Sequence, residues 1–326
     1  MSSYQDIAHA VALLRQGRPV AFPTETVYGL GAAAFDPAAV ARIYELKGRP
    51  AFNPLIVHVS GPEMARRVVR AWPEEAELLA RAFWPGPLSL VLPRSPDLPG
   101  IVTAGADTVA VRCPDHPVAL ALLFEFGAPL VGPSANPSGM VSPTAAEHVR
   151  ESFDPDDVFV LEGGPCRAGI ESTVLSLVGP PTILRPGLIG ADEAAFTIGR
   201  PVALARNGKD AGRMPREAAA LPSPGLLPRH YAPRTPARLF GPEDWPRVLP
   251  GADAPTVVLS MHNRPIKPPH TILLLPRQAE PYAAAIYSAL RRADALSPAL
   301  ILIERPPTDG PVWEAIADRL ARATSG

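Results

Sequence analysis

The chain has 326 residues, 47% of them hydrophobic, and a formal net charge of −1 at pH 7. This length predicts two domains with hydrophobic cores, and the charge excludes a global basic field that would gather nucleic acid. No apolar run reaches the ~18–20 residues that cross a bilayer, and a signal-peptide pattern is absent. Cys113 and Cys166 have no metal or redox spacing, which favours a reduced, cytoplasmic protein.

The helix between Asp36 and Gly48 carries the strongest local signals in the chain. Before it the sequence predicts an amphipathic helix at 3–16, a short strand at 19–22 and a loop at 23–31. Asp36 supplies an N-cap, and Gly48 supplies the C-terminal stop. Lys47 is therefore expected at a helix end.

Strands and helices continue to alternate beyond residue 50. Predicted strands lie at 55–59, 88–92, 108–112, 129–131, 158–161, 173–178 and 182–184. Predicted helices lie at about 62–70, 74–83, 117–126 and 144–152. This alternation predicts an α/β domain over residues 4–200.

A proline-rich linker is predicted at 201–237. Its run at 221–233 is too rich in proline for a helix, and too aromatic and cationic for an inert spacer. Beyond it, strands are predicted near 237–240, 256–260, 271–275 and 300–304, with helices near 277–293 and 311–323. Residues 238–326 therefore predict a small second α/β domain.

Lys47 is unusual because no other lysine occurs in the first 208 residues, and Arg49 follows two positions later. A lysine ammonium is a compact point charge that suits a phosphate or carboxylate oxygen, whereas an arginine guanidinium is a planar fork. The pair therefore indicates an anion clamp. A solvated helix end that complements the helix dipole is the alternative.

Polar side chains gather after or within the predicted strands, where loops of open α/β sheets bind ligands. These clusters are Thr24, Glu25, Thr26 and Tyr28; Lys47, Arg49, Asn53 and His58; Thr108 and Arg112; Ser134, Asn136, Ser138 and Thr144; and residues 169–173 with Arg185. Hydroxyls, a lysine and several arginines favour an anionic, oxygen-rich ligand such as a nucleotide phosphate.

Each of these residues also has a simpler interpretation. Thr24, Ser134 and Ser172 are residue types typical of turns and caps, and Glu25 is typical of an exposed surface. His58 lies inside a predicted strand, where a histidine is more often a hydrogen-bonded core residue than a ligand-binding one. Arg112 is harder to explain as structural, because an arginine buried among apolar strand residues needs an anion.

Several common enzyme motifs are absent from the sequence. We find no phosphate-binding Walker loop and no dinucleotide-binding glycine fingerprint. A nucleophile elbow and a histidine-pair zinc motif are also missing. Ordinary nucleotide triphosphatase, dehydrogenase, hydrolase and metalloprotease functions are therefore disfavoured.

A series of runs resembles the YrdC-type family of threonylcarbamoyl-AMP synthases. In order, they are PTETVYGLG at 23–31, KGRPAFNPL at 47–55, WPGPLSLVL at 84–92, TVAVRCPDHP at 108–117, GPSANPSG at 132–139, GIESTVLSL at 169–177 and ILRPG at 183–187. The run SPGLLPRHYAP at 223–233 is similar to the linker of the long, two-domain form. The resemblance implies a twisted sheet with flanking helices and an open groove, followed by a small Rossmann-like α/β domain.

The activity implied by the resemblance is that of a nucleotidyltransferase. L-Threonine, bicarbonate (or CO2) and ATP would give L-threonylcarbamoyl-AMP and pyrophosphate, for N6-threonylcarbamoyladenosine in tRNA. Mg²⁺ would arrive with ATP rather than in a protein metal site. A downstream tRNA threonylcarbamoyl transferase would accept the product, and direct tRNA binding by this chain is left open.

The resemblance also assigns roles to residues of this chain. Lys47 and Arg49 are expected to be catalytic. Those expected to bind threonine are Thr26, His58, Arg112, Ser134 and Ser172. Those expected to bind ATP are Arg49, Asn53, Thr108, Asn136, Thr144 and Arg185, with His230 and Tyr231 from the linker.

Two other functions stay open at this point. The same groove in an RNA-binding module would grip an RNA backbone without catalysis, although no basic run with interleaved aromatic residues is present. A maturation factor that transfers carbamoyl groups would share the domain, but it would normally carry a zinc-binding cysteine set, which this sequence lacks.

Overall fold

The computed structural model describes residues 2–205, 229–249, 251 and 254–325. Over the first range the strands are β1 Val20–Phe22, β2 Gly29–Ala33, β3 Ile56–His58, β4 Leu88–Pro93, β5 Thr108–Arg112, β6 Leu130–Val131, β7 Phe159–Val160, β8 Thr173–Ser176, β9 Thr182–Arg185 and β10 Ala203–Leu204. They form one mixed sheet in the order β10-β9-β8-β4-β5-β3-β6-β2-β1-β7. The helices are α1 Tyr4–Arg15, α2 Pro37–Lys47, α3 Pro62–Ala65, α4 Glu74–Phe83, α5 Pro117–Phe126, α6 Ala146–Arg150 and α7 Ala191–Ile198.

A second, smaller sheet follows. Its elements are β11 Ala237–Phe240, β12 Thr256–Ser260, β13 Thr271–Leu274, α8 Ala279–Ala295, β14 Leu300–Glu304 and α9 Pro311–Ala323. Its four strands are all parallel, in the order β11-β14-β12-β13. The predicted α/β fold class is confirmed for both sheets, while the domain boundaries at 200 and 237 stay predictions.

Helix ends follow the predicted capping chemistry. Ser3 and Asp6 form a reciprocal capping box before α1. The Asp36 carboxylate accepts hydrogen bonds from the first backbone N–H groups of α2, and Gly48 ends that helix in the left-handed conformation at φ 57°. The sequence therefore places Lys47 correctly in the last turn of α2.

The large sheet has a core on each face, as the alternation of β1 shows. Ala21 packs with Val40 of α2 and Leu79 of α4 in one cluster. Val20 and Phe22 pack in another cluster, which includes buried residues of α1 and α5. Because side chains alternate along a strand, these clusters lie on opposite faces of the sheet.

One predicted loop is partly a strand. Residues 29–33, at the end of the predicted 23–31 loop and just beyond it, form β2 between β1 and β6. Gly29 and Gly31 face the Phe22 ring, and a Cβ at either would lie 3.0 Å from a ring carbon. Glycine lets β2 lie close to that ring without a shift of the ring, and glycine is depleted in strands, so residue preferences do not predict β2.

Smaller differences occur at element ends. The predicted helix at 62–70 is confined to α3, and α7 and β10 are not predicted at all. These are short elements, for which apolar periodicity is a weak signal. Within the described ranges, no helix combines the length and apolar character that a membrane span requires.

Candidate functional site

A cleft of about 550 Å³, its mouth included, opens beside the C-terminal ends of β3 and β5. Several separate segments supply its walls. They are the 24–29 loop, Arg49, His58, Arg112, the 132–134 loop, Glu171 with Ser172, Arg185, and His230 with Tyr231. The fold thus brings together residues that are far apart in the sequence.

All the residues predicted to bind threonine line this cleft: Thr26, His58, Arg112, Ser134 and Ser172. They come from loops and strand ends of the large sheet. Since parallel neighbours end at the same edge, His58 and Arg112 lie side by side in register on β3 and β5. Their common location is compatible with the predicted site, although their roles stay predictions.

Arg112 already has an anionic partner. Its guanidinium lies 2.7 Å from a carboxylate oxygen of Glu25 and donates to the Thr26 hydroxyl at 2.8 Å. A third bond runs to the carbonyl of Gly86 at 3.1 Å. Glu25 is 2% exposed, so its interpretation as a surface charge is wrong. The anion that a buried arginine needs is supplied by the protein.

His58 is neutral in this setting. Burial, with the positive charge of Arg112 beside it, lowers the pKa of His58 to about 3. Gly132 makes room for the ring, because a Cβ there would lie 2.6 Å from its Nδ1 atom. A neutral imidazole presents one donor and one acceptor nitrogen to the cleft wall.

Ser172 is held on both sides. Its hydroxyl lies 2.8 Å from that of Ser89, and Arg185 donates to its carbonyl at 3.0 Å and to its hydroxyl at 3.2 Å. Burial lowers the pKa of Arg185 from its ordinary value. Arg185, which is predicted to bind ATP, therefore contacts Ser172, which is predicted to bind threonine.

Arg49 reaches the cleft from the loop after α2. It donates to the Asn53 carbonyl at 2.9 Å, the Asn53 side-chain oxygen at 2.7 Å and the Pro54 carbonyl at 2.7 Å. Burial, with Arg185 nearby, lowers the pKa of Arg49 to about 10, so it stays charged at neutral pH. Asn53 shapes this corner by orienting Arg49 and does not itself line the cleft.

Lys47 lies behind the cleft wall rather than in it. Its ammonium donates to the carbonyls of Ser134 and Asn136, so it joins the end of α2 to the 134–136 loop. It is 2% exposed, and burial, with Arg49 nearby, lowers its pKa well below the usual value. Lys47 is thus not the solvated helix end of the alternative interpretation. Its catalytic role stays a prediction.

Three other residues predicted to contact ATP do not line the cleft. The Asn136 side chain donates to the carbonyls of Pro137 and Met140 within its own loop. The Thr144 hydroxyl lies 3.0 Å from that of Ser288 on α8. Thr108 starts β5, at the opposite end of the strand from Arg112. Their predicted contacts with the nucleotide are untested.

His230 and Tyr231 are the described part of the predicted linker at the cleft. Their rings meet edge to face with centroids 4.0 Å apart, and both residues line the cleft. Burial lowers the pKa of His230 to about 3. Residues 223–228 of the matching run lie outside the described residues, as does most of the predicted linker.

Glu171 is a polar residue of the cleft to which the sequence assigns no role. It lies in the predicted 169–173 cluster, but nothing in the sequence shows that its carboxylate is buried and bound by Tyr287 and Arg319. Those partners lie on α8 and α9, where the sequence predicts helices near 277–293 and 311–323 and no part in the site. No spacing rule connects residues so far apart.

The chain matches two family models. The first, Sua5_yciO_yrdC, described as "Telomere recombination", matches residues 12–187. The second, described as "Threonylcarbamoyl-AMP synthase, C-terminal domain", matches residues 194–325. Together they cover both sheets.

Individual relatives give the same result. A threonylcarbamoyl-AMP synthase of Bacillus subtilis is 42% identical over 330 residues, which span 98% of this chain and 93% of that protein. One from Pyrococcus abyssi is 48% identical over 226 residues, covering 69% of this chain and 64% of its own length. The solved structure of P. abyssi Sua5 complexed with L-threonine superposes with a TM-score of 0.88 at 38% identity, covering 99% of this chain and 95% of that one.

Proposed function

This chain belongs to the Sua5_yciO_yrdC family, and from that premise we propose that it is a threonylcarbamoyl-AMP synthase. The proposed reaction joins L-threonine, bicarbonate or CO2, and ATP into L-threonylcarbamoyl-AMP, with release of pyrophosphate. The product would serve the N6-threonylcarbamoyladenosine modification of tRNA. A downstream tRNA threonylcarbamoyl transferase and a cytoplasmic location are parts of this proposal.

The observation that carries the proposal is the composition of the cleft wall. Every residue predicted for threonine faces the cavity, and the cations Arg49 and Arg185 face the same cavity. A relative with this fold over nearly its whole length is solved with L-threonine bound. One amino acid and one polyanion would therefore meet in a single cleft.

The chemistry requires positioning more than acid or base catalysis. The neutral amine of threonine attacks CO2, so that an N–C bond forms while a C–O π bond breaks, and loss of one amine proton to water leaves a carbamate anion. A carbamate oxygen then attacks the α-phosphorus of ATP, and the bond to the pyrophosphate group breaks. Because two anions must approach each other, the cations that face the cleft would lower the barrier mainly by neutralising charge.

Arg112 would act in this site as an oriented donor. Its ion pair with Glu25 and its bond to Thr26 fix the plane of the guanidinium beside His58. A guanidinium has five N–H donors, so it can serve Glu25 and a substrate carboxylate together. We propose that the threonine carboxylate binds here, and that the neutral His58 ring lies against the same substrate.

Magnesium would be carried by the phosphates of ATP. Across the described ranges, no three His, Cys, Asp or Glu side chains come together in a way that could hold a metal ion. Glu25 and Glu171 are already paired with arginines. Phosphate oxygens and water would therefore supply the oxygen ligands that Mg²⁺ prefers.

The test is pyrophosphate release from ATP by the full chain with Mg²⁺ and bicarbonate, with and without L-threonine. We expect threonine-dependent release that Lys47→Ala reduces by at least about tenfold, since the substitution removes both hydrogen bonds that Lys47 donates to the 134–136 loop and, within the described ranges, leaves the buried Asn136 carbonyl without a donor. Lys267→Ala removes an exposed lysine from the connection between β12 and β13 and serves as the control.

Release that does not depend on threonine, or no release from folded protein, would refute the synthase activity. The latter result would favour the RNA-binding module. Equal activity of Lys47→Ala and Lys267→Ala would refute the predicted role of Lys47 alone.

A further inference from the structure

The 169–173 segment has one side in the cleft and the other against the C-terminal unit. Glu171 and Ser172 line the cleft. Ile170, between Gly169 and Glu171, belongs to the same hydrophobic cluster as Tyr287 of α8 and Leu320 of α9. Helices that carry no cleft residue therefore support one wall of the substrate site.

Glu171 is the polar centre of this contact. One carboxylate oxygen accepts a hydrogen bond from the Ser142 hydroxyl at 2.6 Å. The other accepts from the Tyr287 hydroxyl at 2.9 Å and from Arg319 Nε at 3.1 Å. A buried carboxylate must be paired, and two of its three donors belong to α8 and α9.

Arg319 connects several parts of the cleft. It is 1% exposed, donates to the Pro186 carbonyl at 2.9 Å, and has its guanidinium carbon 5.4 Å from the centre of the Tyr231 ring. Pro186 follows Arg185, and Tyr231 lines the cleft. A single side chain of α9 thus holds the Glu171 carboxylate, the Arg185 strand end and the linker aromatic.

Tyr287 completes the arrangement from α8. Its ring is stacked on Tyr231 with centroids 5.7 Å apart, while its hydroxyl donates to Glu171. Removal of this hydroxyl alone would leave the stacking in place and take one donor from the carboxylate. The two contributions of Tyr287 are therefore separable by a single substitution.

The two surfaces approach each other too closely for a loose contact. Gly169 adopts φ +73°, and a Cβ at this position would lie 2.4 Å from backbone atoms of Ala283 and Ala284 on α8. Arg291, further along α8, donates to the Val141 carbonyl at 2.6 Å. The helix is seated directly on the backbone of the cleft loops.

We propose that Tyr287 and Arg319 are positioning residues for the threonine site, which they act on through Glu171 and the adjacent Ser172. The C-terminal unit would then set threonine affinity without touching the substrate. This inference rests on the proposed function, because it assigns a role within the same cleft. It gives the C-terminal unit a task that the sequence alone does not reveal.

Tyr287→Phe in the full chain tests the proposal, with Tyr282→Phe as the matched control. Both tyrosines are buried on α8, but within the described ranges the Tyr282 hydroxyl has no hydrogen-bond partner, and its ring packs on Trp313. We expect Tyr287→Phe to raise the calorimetric Kd for L-threonine and the KM for L-threonine by roughly three- to tenfold. The KM for ATP should change little, because stacking on Tyr231 is kept.

Amide hydrogen exchange supplies a readout that needs no substrate. Peptides that contain residues 169–173 should exchange faster in Tyr287→Phe than in the wild type or in Tyr282→Phe. Arg319→Lys keeps the positive charge but loses the planar guanidinium. If this variant folds, it should also bind L-threonine more weakly than the wild type.

The outcomes separate this inference from the proposed function. If the wild type binds threonine and both Tyr287→Phe and Arg319→Lys bind it equally well, Tyr287 and Arg319 are structural only and the inference is wrong, whatever happens to the melting temperature. If Tyr282→Phe weakens binding as much as Tyr287→Phe, the effect is general loosening of α8 and the inference also fails. A wild type that binds no threonine would instead refute the proposed function.

Discussion

Single residues in this cleft are specified by partners that lie far away in the sequence. Arg112 illustrates this, because its position among apolar strand residues predicts a buried cation that needs an anion. The sequence leads to a substrate carboxylate as that anion. The structure shows that Glu25 is also a partner of Arg112, although its position in a polar loop indicates an exposed surface charge.

The Glu25–Arg112 pair should matter for stability. Glu25→Gln removes the negative charge while it keeps the volume, so a buried guanidinium is left without its counter-charge. We expect the free energy of unfolding to fall by about 3–5 kcal/mol, measured by urea denaturation.

Glu63→Gln is the matched control for this substitution. Glu63 pairs with Arg66 but its side chain is 94% exposed, so the change should stay within about 1 kcal/mol. Equal effects of the two substitutions would show that the buried pair contributes no more than an exposed one.

His58 should make stability depend on pH. Its folded pKa of about 3 lies below the ordinary value of 6.5, so between these values the unfolded chain binds a proton that the folded chain does not. The free energy of unfolding therefore falls as the pH falls below 6.5, by up to about 1.4 kcal/mol per pH unit, and His58 contributes no slope above that pH.

His58→Gln should make this dependence less steep, because glutamine does not titrate, while the buried His230 keeps its own contribution to the slope. Urea denaturation at a series of pH values from 7 to 5 would compare the two slopes. Parallel curves for the wild type and the variant would mean that His58 is protonated in the folded chain, against the structure.

Most of the longer helices are predictable from the sequence, and elements built around a close approach between backbone and side chain are not. The bounds of α4, α5 and α9 agree with their predicted ranges at 74–83, 117–126 and 311–323. The sequence does not predict β2, because its glycines accommodate the Phe22 ring of the neighbouring strand. That ring contact belongs to the tertiary structure. The secondary-structure preference of a residue contains no information about its contacts with another strand.

The packing of α8 against Gly169 allows a prediction about a whole structural element. Gly169→Ala adds both a strained left-handed backbone and a clash with the α8 backbone, whereas Gly179→Ala at φ +80° adds strain alone, with open space around it. We expect Gly179→Ala to lower the free energy of unfolding by about 1–2 kcal/mol. Gly169→Ala should cost clearly more and should also weaken threonine binding. Equal costs would mean that α8 moves away freely.

For the whole molecule, the sequence predicts which residues line the cleft better than it predicts how the C-terminal unit packs against the cleft wall. The predicted threonine residues meet because strand ends of an α/β sheet share an edge, which is a rule of topology. The family resemblance is confirmed over both units. The pairing of Glu171 with Arg319 spans 148 residues of chain and two sheets, so it follows from docking that no local pattern encodes.

Among the hydrophobic residues at this contact, Val27, Val141 and Ile170 come from the large-sheet unit but are buried in the core of the small one. The small unit therefore lacks part of its own interior. Produced alone, a fragment of residues 229–325 would present an uncovered apolar surface to water and would tend to aggregate. Work on recombinant pieces of this protein should accordingly keep the two units in one polypeptide.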